Sequence, residues 1–314
     1  VGNRIARASA FAGRKAAFFM SATINTRQVT AASSIPETLQ YREYKLLLKS
    51  DHFTKPSHFH EFWKIARRVA KKLDIVIRKR GKPMETHLRE VLFFDTPRFR
   101  LYNNGFMLRR RMFYKKGLPQ SNYELTLKFR HPDRAIAAAV DVRPLLPSPH
   151  AIKFKEEILL PRDGQPGMRT IYAHSCDLDT PNSIMTQSFE SISQVFPALL
   201  KTGAKPQTLL SIVNRAAIEE ILVNLGEIDF GGKVTAKATL AIWRNRATQA
   251  QLVGEYSYQI KFDGPDGLRG KPKELSEAFF TELQVAAQDW IHLGSTKTAL
   301  VYSLGGGALL RNHE

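Results

Sequence analysis

Charged side chains recur two positions apart along this chain: Glu43 and Lys45, Arg109 and Arg111, Lys128 and Arg130, Lys155 and Glu157. Residues two apart on an extended strand point to the same side. Arg109 and Arg111 can therefore clamp successive phosphate groups, because a guanidinium fork matches two phosphate oxygens at once. Along the polar phase of the candidate strands nine residues are basic: Lys45, Arg109, Arg111, Lys128, Arg130, Lys153, Lys155, Lys237 and Lys261. Only Glu43, Glu124, Glu157 and Glu255 on that phase are acidic. On an open sheet such a face is ordinary solvated surface. Wrapped around the inside of a closed barrel, the same nine cations repel one another unless an anion sits among them. The whole chain has the same bias, with 47 Lys+Arg against 29 Asp+Glu and a formal charge of +18. That excess predicts attraction to a polyanion, whether nucleic acid, anionic lipid or polyphosphate.

The elements that must carry these groups are mostly strands. From residue 39 onward the pattern has period two: in Tyr123-Glu124-Leu125-Thr126-Leu127-Lys128-Phe129-Arg130 the odd positions are apolar and the even ones polar. Ile152–Ile158 repeats this less cleanly, and Glu255–Phe262 alternates without a fault. Strict alternation marks a strand with one buried and one polar face. Further strands are expected at Tyr41–Lys49, Arg89–Phe94, Phe106–Phe113 and Val234–Trp243, with turns at Gly105, Gly117 and Asp263-Gly264-Pro265. Three helices are expected. One is capped by Ser57 and runs to about Leu73, one covers Gln187 to Leu200 with more helix after Pro206, and one runs from Pro272 to Leu293. Many strands with few helices imply an α+β fold, mostly antiparallel.

Several stretches resemble the CYTH, or triphosphate-tunnel metalloenzyme, pattern. They are Glu43-Tyr44-Lys45 in an opening strand, and Phe94-Asp95-Thr96-Pro97 followed by Leu101, Gly105 and Leu108-Arg109-Arg110-Arg111. Thr126-Leu127-Lys128, then Lys155 with Glu157, then Thr296-Lys297 through Tyr302 complete the order over residues 39 to 304. The resemblance implies a closed eight-stranded antiparallel β-barrel with flanking helices, spanning residues 37–304. It implies that Arg109, Arg111, Lys128, Arg130, Lys155, Lys237 and Lys297 bind phosphate, and that Lys45 serves the chemistry beside Glu43. It further implies that Glu43, Glu157 and Glu255 hold Mg²⁺ or Mn²⁺, hard cations that favour carboxylate and phosphate oxygens. The implied activity is metal-dependent hydrolysis of a triphosphate such as tripolyphosphate, thiamine triphosphate or a nucleotide.

The sequence departs from that pattern on the acidic side. Tyr41 stands where the opening motif has its first acid, and Ser257 and Gln259 follow Glu255 where an acid pair is expected. The phosphate grip is better kept than the metal site, which leaves a non-catalytic polyphosphate or nucleotide binder as the alternative. A general nucleic-acid binder is disfavoured, since aromatics are not interleaved with basic residues on one strand face. His174, Cys176, Asp177 and Asp179 lack a second cluster at ligand spacing and read as a polar loop. The basic run from Lys64 to Lys72 reads as the solvated side of an amphipathic helix. One cysteine, Cys176, allows no intramolecular disulfide and fits a reducing, cytoplasmic setting. No apolar run is long enough to span a membrane. Residues 1–36, basic and without an acid, read as a disordered leader, an upstream extension ahead of Met20, or an organellar transit peptide; residues 305–314 read as a flexible tail.

Overall fold

A computed structural model describes residues 38–79, 81–82, 84–181, 188–262, 267–294 and 296–306. The leader, Gln187, the Asp263-Gly264-Pro265 turn and most of the tail lie outside them. From Ile35 the chain forms one compact unit. Its strands are β1 (Tyr41–Leu48), β2 (Val76–Arg78), β3 (Thr86–Asp95), β4 (Phe106–Lys115), β5 (Leu118–His131) and β6 (His150–Leu159). They continue with β7 (Arg169–Pro181), β8 (Ser211–Ile212), β9 (Ile218–Asp229), β10 (Thr235–Asn245) and β11 (Gln251–Lys261). The helices are α1 (Pro56–Lys72), α2 (Arg100–Asn103), α3 (Arg134–Ala138), α4 (Phe189–Val195), α5 (Gly270–Ala286) and α6 (Lys297–Ser303).

Nine strands close into a ring in the order β9-β10-β11-β1-β6-β7-β5-β4-β3, with β3 pairing back onto β9. The short strands β2 and β8 lie outside it. The barrel is therefore nine-stranded where eight were expected, and the difference has a geometric consequence. A closed ring with an odd number of strands cannot be antiparallel throughout. The parallel pair falls at β1 and β6, where Glu43 lies beside Glu157.

The apolar phase of the strands faces outward and the polar phase inward. Tyr44, Leu46, Tyr256, Tyr258 and Ile260 form one core on the outside of the wall beneath α1 and α5, with Phe62, Ala66, Phe279 and Leu283 from those helices. Leu108, Leu125, Leu127, Cys176 and Leu178 form a second beneath α4. At one end of the barrel the inward phase itself turns apolar. There Leu47, Val91, Phe93, Met107, Trp243 and Val253 pack with Val301 and Tyr302 of α6 and seal that end.

Several boundaries differ from the sequence expectation. The first helix starts on Pro56, with Lys55 rather than Ser57 at its cap, because proline's fixed φ suits the first helical turn. The second breaks at Pro197 into α4 and a 3-10 turn, since proline has no N–H to continue the ladder. The third ends at Ala286, followed by a 3-10 turn at Gln288–Trp290. The stretch after Pro206 forms no α-helix; it carries β8 and a 3-10 turn at Val213–Arg215 before β9. The residues 174–179, expected as a loop, lie within β7.

Candidate functional site

The inward phase encloses a cavity of about 250 Å³. Of the expected phosphate-binding residues, Arg109, Arg111, Lys128, Arg130, Lys155 and Lys297 all line it, together with Lys45, Glu43 and Glu255. Lys237 does not; it is exposed on β10, as Lys261 is on β11. Two more cations complete the wall: Lys153, counted in the polar phase without an assigned role, and Arg89 on β3. Among the described residues the lining cations number nine again, with Lys237 and Lys261 of the original set exchanged for Arg89 and Lys297.

These cations are interleaved with carboxylates, not left to repel one another. Glu157, with a side chain 0% exposed, accepts Lys45 Nζ at 2.6 Å and Lys128 Nζ at 2.7 Å on Oε1, and Arg130 Nε at 3.0 Å on Oε2. Glu43 takes Lys45 and Lys155, each at 3.2 Å. Asp177 accepts Lys153 Nζ at 2.6 Å and the Thr126 hydroxyl at 2.8 Å. Arg111 donates to Glu124 at 3.0 Å, and Arg109 to Thr126 Oγ1 at 3.0 Å. Glu255 pairs with Lys297 at 3.0 Å. Glu220, 2% exposed, faces Arg89 at 3.2 Å, Lys297 at 3.5 Å and Arg111 at 4.0 Å, and accepts Trp243 Nε1 at 2.8 Å. Among the described residues nine cations meet six carboxylates, leaving three positive charges.

Burial makes these charges interact strongly. It pushes the Glu43 carboxyl up, but Lys155 and Lys45 outweigh it and hold the group down at about 2. Burial likewise opposes ionisation of Glu157, yet Arg130, Lys128 and Lys45 keep it well below the usual carboxylate range. Glu220 is held low against burial by Arg111, Lys297 and Arg89. Lys128 moves the other way: burial pulls its ammonium down well below the usual range, and Arg130, Lys45 and Lys155 add to the pull against Glu157. Burial and neighbouring Arg111 bring Arg109 to about 10, still charged at neutral pH.

The three carboxylates expected to hold a metal do not fit a resident divalent cation in this arrangement. Both oxygens of Glu157 are taken by cationic nitrogens, and Glu43 and Glu255 each face a lysine. Among the described residues no three His, Cys, Asp or Glu side chains converge as metal ligands. Cys176 and Asp177 point to opposite sides of β7, one into the outer core and one into the cavity, so they form no joint site.

Sequence reasoning missed Arg89, Asp177 and Glu220. The last two sat in segments read as a loop and a helix, and Arg89 shares its phase with Val91 and Phe93, which hid it. The basic run on α1 is exposed, with Lys72 paired to Glu282 of α5. Among the described residues no helix is long and apolar enough to cross a membrane.

No family model matches the chain, and no curated protein matches it. Among solved structures it is similar to HpAC1 of Hippeastrum, a chain named as an adenylyl cyclase and described as having a dominant triphosphatase activity. The two share 15% identity with a TM-score of 0.42, over 88% of this chain and 100% of that one. It is also similar to a chain of Bacillus halodurans named as an adenylate cyclase (12% identity, TM-score 0.36, 83% of this chain and 96% of that one). A chain of Vibrio parahaemolyticus with the same name shares 11% identity (TM-score 0.34, 84% of this chain and 98% of that one).

Proposed function

We propose that the barrel binds the triphosphate group of a small molecule. The observation that carries this reading is a cavity of about 250 Å³, lined by nine cations with three positive charges to spare and sealed at one end by α6. A linear triphosphate is a compact anion that several such cations engage at once, and in a buried site each contact is worth more than in water. The sealed end and the small volume disfavour a duplex nucleic acid or a long polyphosphate threading through. Lys45, Arg109, Arg111, Lys128, Arg130, Lys155 and Lys297 are the phosphate-binding residues in this reading.

Metal-dependent hydrolysis is the second reading. One observation favours it: Glu43 and Glu255 stay partly accessible at the cavity wall, 15% and 11% exposed, whereas Glu157 is sealed. Titration calorimetry with tripolyphosphate tests the binding, and the expected result is a single site lost in Arg109→Ala and Arg111→Ala. Absence of binding to tripolyphosphate, thiamine triphosphate and ATP alike would sink the reading. Phosphate release from these compounds and from pyrophosphate, with Mg²⁺ and with Mn²⁺, separates the hydrolase from the binder.

A further inference from the structure

Two carboxylates stand apart from the others. Glu157 on β6 gathers Lys45, Lys128 and Arg130, all of which line the cavity, while Glu157 itself does not. Glu220 on β9 gathers Arg89, Arg111 and Lys297, and its Oε1 is fixed by the Trp243 indole. In the ring of nine strands, β6 and β9 are four steps apart one way and five the other, as far apart as the ring permits. The cavity therefore lies between two fans of three cations, each drawn together by one buried anion.

We infer that Glu157 and Glu220 are positioning residues that hold these opposed fans, and that the fans grip a triphosphate without a divalent cation. This rests on the triphosphate reading above. Three cations crowded at one wall repel one another and splay or give up a proton unless a counter-ion fixes them. A carboxylate whose oxygens are both engaged in charge-assisted hydrogen bonds supplies that counter-ion and sets the directions of the donors. The neutralisation that a metal would bring to a bound triphosphate is supplied by six cations already in place. The same carboxylates, claimed by lysine and arginine nitrogens, are not free to ligate a metal.

The sign of a mutation distinguishes positioning from bulk electrostatics. Removing a negative charge from a cationic cavity strengthens anion binding if only net charge matters. Glu157→Gln is expected to weaken tripolyphosphate binding instead, by roughly tenfold or more, because it removes the anion that Lys45, Lys128 and Arg130 share. Glu255→Gln, at a carboxylate that pairs with the single cation Lys297 among the described residues, is expected to strengthen it. The Glu157→Gln loss should also be non-additive with Lys128→Met, since the effect runs through the cations; a merely structural defect adds. Should Glu157→Gln fail to fold, the wild-type protein carries the test: tripolyphosphate should bind in EDTA at least as tightly as in excess Mg²⁺. Binding that appears only with Mg²⁺, or a Glu157→Gln variant that folds and binds more tightly, overturns the inference. Absence of binding in both conditions would instead overturn the triphosphate reading itself.

Discussion

Asp95 at the end of β3 accepts a hydrogen bond from the Tyr302 hydroxyl at 3.1 Å, across 207 positions of sequence. The same buried carboxylate accepts the backbone N–H groups of Thr96 at 2.6 Å, Leu101 at 3.0 Å and Tyr102 at 2.9 Å. One side chain thus ties the turn after β3, the short helix α2 and the sealing helix α6 together. Because α6 also carries Lys297, the tie reaches the cavity.

Tyr302→Phe keeps the ring stacked on Tyr102, whose centroid lies 4.0 Å away, and removes only the hydroxyl. It should cost about 1–2 kcal/mol, read from urea denaturation. Asp95→Ala strands three backbone donors and should cost about 3 kcal/mol or more. Equal losses in the two variants would mean that Asp95 does not organise the turn.

The pH dependence of stability follows from the same group. Burial raises the Asp95 carboxyl from 3.8 to about 6, against the pull of its N–H bonds. The folded state then holds the proton more tightly than the unfolded state. This contribution is full below 3.8 and is lost as pH rises through about 6. Denaturation midpoints across that window should fall more steeply with rising pH in the wild type than in Asp95→Asn, which cannot titrate. Parallel curves for the two proteins would contradict this.

Thr126 lies between two charged partners, taking Arg109 Nη2 at 3.0 Å and donating to Asp177 at 2.8 Å. Thr126→Val preserves shape but deletes both bonds. It should cost about 1–3 kcal/mol of stability and loosen Arg109, with a matching fall in tripolyphosphate affinity by calorimetry. Unchanged affinity would place Arg109 outside the binding set.

Lys237 is exposed and absent from the cavity wall, so Lys237→Ala should leave tripolyphosphate affinity within about twofold of wild type. Lys297→Ala removes a cation that touches both Glu220 and Glu255, and should weaken binding by about tenfold or more. The reverse order would move the binding site to the β10 face.

Gly105 adopts φ +79° before β4, and a Cβ there would sit 2.8 Å from the Arg130 carbonyl oxygen. Its own carbonyl accepts the Arg130 N–H at 2.9 Å. Gly105→Ala should therefore cost about 1–3 kcal/mol, and should displace Arg130 in a crystal structure of the variant.

What the sequence made legible was the alternation. β5 and β11 alternate cleanly, so their inward residues Lys128, Thr126 and Glu255 could be read directly. β9 was hidden because both of its faces are buried, with Ile218 and Glu220 on one and Val223 on the other, and because its register with β10 shifts near Gly226. β7 was hidden by small residues: Ala173 and Ser175 occupy the inward phase where other strands carry long charged ones. The cations were easier to find than their counter-ions. The basic groups recur as spaced pairs, whereas Asp177 and Glu220 meet their cations only across neighbouring strands and helices, Glu220 reaching Arg89 and Lys297 far away in sequence.

The parallel seam between β1 and β6 has a consequence for the order in which the protein is made. Of the barrel strands β1 is the first to leave the ribosome, yet its two neighbours are β6, whose Lys155 sits opposite Tyr41, and β11, whose Lys261 does so on the other side. Neither pairing is local, and pairings of such long sequence separation form slowly. Until β11 has emerged, β1 has one open edge and the ring has a gap. The cationic cavity therefore does not exist until β11 has emerged, and a nascent chain truncated before β11 should be unable to retain a phosphate ligand. A barrel so arranged acquires its anion site only once its last strand is in place.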